Sequence, residues 1–137
     1  MSGMRLAVTE RMTQVKSFRD LIVWQVSMDL ADVCFDIVET IPHPYRFTFG
    51  NQLIPAGISI PANIAEGSRR PPRAYLNHLS ISLGSHGEVE TLFDLIQRRK
   101  LAPPQVLNKG VVLIEPIGKM LHRLAQSVRV RSLNPNP

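Results

Sequence analysis

Residues 17–40, "SFRDLIVWQVSMDLADVCFDIVET", carry apolar side chains on two sides of one helix, and this constrains the fold more than any other feature. Leu21, Trp24, Met28, Ala31, Phe35 and Val38 step by three and four, which lays one stripe along a helix. Val23, Val26, Leu30, Val33 and Ile37 form a second stripe on the opposite side. Gln25, Asp29, Asp32, Asp36 and Glu39 run between them as a mostly acidic stripe. A lone amphipathic helix needs one apolar face. Two opposed faces predict that one packs the protomer core while the other, Val23, Val26, Leu30, Val33 and Ile37, meets another subunit. The alternative is a helix buried on most sides within a single chain, which a small bundle rarely achieves.

Punctuation residues divide the rest of the chain into three further helices. Ser17 and Asp20 supply a capping-box-like start for helix one, and Pro42 and Pro44 stop it. Helix two is expected from Phe47 to Glu66, with Gly67 in a left-handed cap. Pro55 and Pro61 fall inside it, where each removes a backbone hydrogen bond and crowds the carbonyl four residues earlier. A kink or an interruption is therefore expected, compensated by packing of Leu53, Ile54, Ile58, Ile60 and Ile64, with Gly57 yielding to the Pro61 ring.

Helix three should start at Pro71 or Pro72 and reach Lys100. Tyr75, Leu79, Ser82, His86, Val89, Phe93 and Ile96 keep heptad spacing along it. Gly84 and Gly87 in its middle predict the close approach of another helix, since mid-helix glycine otherwise only costs about 1 kcal/mol. A break near Gly84 is the alternative. Helix four starts at Pro103 or Pro104, bends at Pro116 and ends near Val128, presenting Val106, Val112 or Leu113, Ile117, Leu121, Leu124 and Val128. No strand-like alternation occurs. The chain reads as all-α, four helices with short connections and hence antiparallel neighbours. Residues 1–16 read as a flexible extension, 17–128 as the four-helix bundle domain and 129–137 as a flexible tail.

The totals agree with one globular domain: 137 residues, of which 44% are apolar. The single cysteine, Cys34, excludes an internal disulfide framework and fits a reducing, cytoplasmic setting. No apolar run is long enough to predict a membrane span, and residues 1–16 lack the apolar core of a secretory leader. Charge is uneven. Residues 1–66 hold five Lys and Arg against seven Asp and Glu, a net −2, while residues 67–137 hold eleven against four, a net +7. Such asymmetry favours an acidic partner such as nucleic acid.

"SFRDLIVWQVSMDLA", "NQLIPAGISIPANIAEGSRR", "LSISLGSHGEVET" and "IGKMLHRL" together resemble the bacterial four-helix-bundle family of large-ribosomal-RNA intervening-sequence proteins. That family is related to the accessory variability determinant proteins of diversity-generating retroelements. The resemblance spans roughly residues 17–128. It implies an up-down-up-down bundle that assembles as a ring, typically a homopentamer, with no enzymatic activity. Among the retroelement relatives it also implies nucleic-acid binding and a reverse transcriptase as partner. Two departures stand out. Ile54-Pro55 replaces two arginines usual in the family, which removes basic groups from helix two, and Pro116 stands where glutamate is common.

Catalytic patterns are sparse. His43, His78, His86 and His122 have no Cys or His partner at metal spacing, so no metal or cofactor is expected. His86 and Glu88 match the H-x-E of zinc deaminases, but the C-x-x-C that must accompany it is missing. An enzyme using these two residues is the remote alternative, and His86 is expected as a core or interface polar group. Glu88 and Glu90 lie too far around a helix to form a carboxylate pair and are expected to meet basic side chains or backbone donors. Glu66 opposes the dipole at its helix end, which calls for Arg69 or Arg70 as a neighbour.

The basic residues carry the functional clue. An up-down-up-down order brings Arg11, Lys16, Arg19, Arg69, Arg70, Arg73, Arg129 and Arg131 to one end. Repeated around a ring, they would contact several phosphates at once. Tyr75 is the only aromatic expected nearby, so binding should address backbone or shape rather than bases. The expected function is a non-catalytic oligomeric scaffold that binds RNA, DNA or a nucleic-acid enzyme through this rim. The rival is a structural or protein-interaction module whose basic end only keeps it soluble. Neither a membrane nor a small-molecule substrate is expected.

Overall fold

The structure is a computed structural model, and it describes residues 17–133. Arg11, Lys16 and the rest of the expected N-terminal extension lie outside the described residues, as do residues 134–137. The described chain is all-α. A short 3-10 helix, Phe18–Asp20, precedes four α-helices: α1 (Ile22–Thr40), α2 (His43–Ser68), α3 (Pro72–Arg98) and α4 (Pro104–Leu133). No strand occurs among the described residues.

Each boundary has a local cause. The capping box forms as expected, with Ser17 Oγ accepting from Arg19 N–H at 3.2 Å and Asp20 accepting from Ser17 N–H at 3.3 Å. It caps the 3-10 turn rather than α1. Leu21 then adopts extended backbone (φ −76°, ψ 125°), so α1 begins only at Ile22. Pro42, Pro71 and Pro103 precede the next three helices, where a missing N–H costs nothing. α3 closes with two backbone bonds, Leu101 N–H to Ile96 O at 2.9 Å and Lys100 N–H to Gln97 O at 3.1 Å. This is the Schellman pattern, and it puts Lys100 at φ 54°, a left-handed position that glycine usually takes.

The interruption allowed for in α2 does not appear: one helix runs through both Pro55 and Pro61. α3 likewise passes Gly84 unbroken, and α4 continues to Leu133, past the Val128 end expected from sequence. Gly67 is not a left-handed cap. It lies buried inside α2, where a Cβ would come within 2.8 Å of His78 Cβ and of the Tyr75 ring. Its lack of a side chain lets α2 and α3 approach. Gly57 acts similarly between α1 and α2, 3.0 Å from Cys34 Sγ by the same measure.

The helices pack in the cyclic order α1, α2, α3, α4 and back to α1, with no close approach of α1 to α3 or of α2 to α4. One core results, with Leu30, Ile37, Leu53, Ile60, Ile64, Leu79, Val89, Ile96, Ile117, Leu121 and Val128 fully enclosed. The heptad stripe of α3 points inward as expected, and on α4 it is Leu113 rather than the exposed Val112 that packs on the core.

Helix α1 departs from expectation. Val23, Leu30 and Ile37 are buried inside the protomer, and Val26 and Val33 pack on the same core. This stripe is therefore not a free subunit-interface face. Ser27, Cys34 and Ile41, all 0% exposed, explain why. Spaced by seven, they define the inward direction between the two apolar stripes, so both stripes flank the core. The exposed apolar groups of α1 are Ile22, Met28 and Phe35, the last two from the other stripe. Ser27 Oγ is buried with no hydrogen-bond partner.

Candidate nucleic-acid interface

Six of the eight expected phosphate-binding residues are described, and the structure sorts them into groups. Arg19, in the 3-10 turn, sets its guanidinium 4.6 Å from the centre of the Phe18 ring. Arg69, just after α2, approaches the same ring at 5.5 Å. Arg131, near the end of α4, lies 5.9 Å from the centre of the Tyr75 ring. These three side chains line one concavity of about 740 Å3, together with Phe18, Tyr75 and Ser127. That volume falls within the range of small-molecule and cofactor sites.

The local folding explains the placement. The Ser17 cap turns the chain so that Phe18 faces the ends of α2 and α4. Phe18 also packs on Trp24, with ring centres 5.3 Å apart. A cation over an aromatic face gains roughly 0.5–1 kcal/mol at exposed sites, enough to bias a long side chain toward one position. No ion pair among the described residues ties Arg19, Arg69 or Arg131 to a carboxylate. Among the described residues their charge is held by rings rather than by carboxylates. Burial raises the Tyr75 hydroxyl pKa above its ordinary value, and the Arg131 charge partly opposes that rise.

Arg70, Arg73 and Arg129 are not part of this convergence. Arg70 faces Glu66 one turn back, at 3.7 Å, and so is the neighbour that Glu66 required. Arg73 and Arg129 are exposed at the same end without lining the concavity. Sequence reasoning missed Phe18. Its position six residues before Trp24 matches no helical spacing, because the extended Leu21 lies between them. Tyr75, by contrast, is buried, so its ring serves as a support for Arg131 rather than an open stacking surface.

Two of the four histidines, His78 and His86, are absorbed by packing, while His43 and His122 are exposed. His86 Nε2 sits 2.7 Å from Ile114 O, and since a carbonyl only accepts, this nitrogen donates. His78 Nδ1 meets Asn63 Oδ1 at 3.0 Å, the start of a polar ladder between α2 and α3. Asn63 Nδ2 continues it to Ser59 O and Oγ, and Ser85 donates to Ser59 Oγ at 2.8 Å. Ser82, fully buried, donates to Ile60 O at 2.9 Å. Glu88 and Glu90 are exposed and form no ion pair among the described residues, contrary to expectation. No group of three His, Cys, Asp or Glu residues that could hold a metal occurs among the described residues. No helix there is long and apolar enough to cross a membrane.

Among known proteins, the model of a family described as 23S rRNA-intervening sequence protein matches residues 19–123. No curated protein matches the chain.

Proposed function

We propose, for a chain that belongs to the 23S rRNA-intervening sequence protein family, a non-catalytic oligomeric scaffold that binds nucleic acid through its Arg19, Arg69 and Arg131 end. The observation that carries this reading is the meeting of three guanidiniums, with no ion pair among the described residues, from the 3-10 turn, the end of α2 and the end of α4, on one concave surface. Such a cluster suits phosphate, which arginine binds with parallel N–H donors. The family's name, which concerns ribosomal RNA, favours RNA over DNA as the natural target.

The same proposal includes an up-down-up-down bundle and a ring of copies, with five as the expected number. Contacts along the seams support alternating directions. Gly50 lies near Val38 and Gly57 near Cys34, while Asn63 reaches His78 and Ser59 reaches Ser85. In each case position advances on one helix as it retreats on the next. A bacterial, cytoplasmic protein that serves beside a reverse transcriptase of a retroelement is the narrower form of the reading. Arg70, Arg73 and Arg129 would extend the binding surface along the rim.

The test is filter binding to a structured RNA and to duplex DNA across a salt series. Replacing Arg19, Arg69 and Arg131 by Glu should weaken binding and flatten the salt dependence. On duplex DNA the log–log slope should fall by roughly 0.9 for each phosphate that is no longer neutralised. Replacing Arg98, Arg99 and Lys100 at the opposite end should change little. Binding that is absent at low salt, or that ignores the first set, rejects the interface. It would favour a protein-interaction module instead, a reading that Phe47 (78% exposed) and Val112 (64% exposed) also serve.

A further inference from the structure

We infer that the outer face of α1 docks on the outer face of α4 of a second copy, in a head-to-tail contact that rests on the oligomeric reading above. The two helices carry opposite charge. α1 holds Asp29, Asp32, Asp36 and Glu39 and no Lys or Arg, and all four carboxylates are exposed. α4 holds Lys109, Lys119, Arg123, Arg129 and Arg131 against the single acid Glu115. Although α1 and α4 are neighbours within the protomer, no ion pair joins them among the described residues. The acids are not placed for helix stability either. Glu39 stands in the last turn of α1, where the helix dipole disfavours negative charge.

Shape matches charge. Met28 (43% exposed) and Phe35 (45% exposed) project from α1 among the carboxylates. On α4 a concavity of about 560 Å3 is lined by Val112, Glu115, Pro116, Lys119, Met120 and Arg123, with Lys119 paired to Glu115 at 3.0 Å. An apolar projection beside acids on one helix thus matches an apolar hollow on the other, whose rim is net positive because Arg123 adds a charge that Glu115 does not offset. Both halves belong to the same chain, so each copy offers a projection to one neighbour and a hollow to the next. A second copy is the occupant this arrangement fits. Because the two faces differ, the contact is heterologous, and such contacts generate rings when the rotation closes. Complementary potentials of this kind also fix orientation and reject wrong pairings.

The experiment measures mass in solution by sedimentation, with helical circular dichroism as a check on folding. One variant carries Asp29→Lys, Asp32→Lys and Asp36→Lys. A second carries Lys119→Glu and Arg123→Glu. Each alone should dissociate, its apparent dissociation constant rising about a hundredfold from like-charge repulsion. Mixed together, the two should associate again, because each supplies the charge the other now needs. Wild-type mass retained by both variants, or a mixture that stays monomeric, overturns this interface. Should either variant fail to fold, the milder Asp32→Asn and Arg123→Gln changes serve, each expected to weaken association and its salt sensitivity. A monomeric wild type would instead refute the ring itself. An oligomer indifferent to the charge changes would overturn this interface and leave the ring standing on other faces.

Discussion

His86 donates from Nε2 to the carbonyl oxygen of Ile114 across the α3–α4 seam, 2.7 Å away, and its ring occupies space left by Gly118. A Cβ on Gly118 would stand 3.1 Å from His86 Cε1. The glycine and the histidine are therefore one packing unit. His86→Ala should lower unfolding stability by about 1–2 kcal/mol, because it removes a hydrogen bond and leaves the space beside Gly118 unfilled. Urea melts measure it. An unchanged midpoint would mean the bond adds nothing beyond what water offers.

Glycines in this chain divide by what surrounds them. Gly110 faces Phe93, whose ring atoms would lie 2.7–2.8 Å from a new Cβ, with Ile37 Cδ1 at 3.3 Å. Gly110→Ala should therefore destabilise by about 1–3 kcal/mol through overpacking. Nothing lies within 4 Å of a Cβ on Gly84 or Gly87. The close helix expected there is absent within the protomer, so Gly87→Ala should stabilise by about 1 kcal/mol through helix propensity alone. Paired thermal melts decide it, and a shift in the same direction for both variants would refute the distinction.

Lys100 holds a left-handed backbone conformation that closes α3. A side chain there crowds its own carbonyl, and Lys100 is exposed, so little packing offsets the strain. Lys100→Gly should raise stability by about 1 kcal/mol. Lys100→Ala should not, since alanine keeps the Cβ. Chemical denaturation of the two variants makes the comparison, and equal effects would locate the cost elsewhere.

Burial pushes the Cys34 thiol up to about 12 from its ordinary 9.0. The unfolded chain releases that proton near pH 9, whereas the folded chain holds it. Stability from this group is thus complete below about pH 9 and declines as pH rises toward 12. The raised Tyr75 hydroxyl acts in the same direction. Denaturant melts between pH 8 and 11 should show a fall of at most about 1.4 kcal/mol per pH unit from each group. Cys34→Ala should flatten part of that fall. In the native protein Cys34 should also resist thiol reagents, because it is 0% exposed.

Much of the site was legible one residue at a time. The Arg70–Glu66 pair followed from a misplaced acid at a helix end, and the basic end followed from helix order. The role of Phe18 did not, because Arg19 and Arg69 meet on its ring from 50 residues apart in the chain. The inward face of α1 escapes the apolar pattern for a related reason. It is marked by Ser27 and Cys34, small residues that such a pattern does not weigh.

By itself the sequence determined four helices, their proline-marked starts and the heptad face of α3, because these depend on backbone chemistry and on spacing within one segment. Only the tertiary structure decided which side of α1 turned inward, which glycines were packed against, and which arginines came together. Those outcomes depend on where neighbouring helices lie, and no periodicity within a single helix encodes that position.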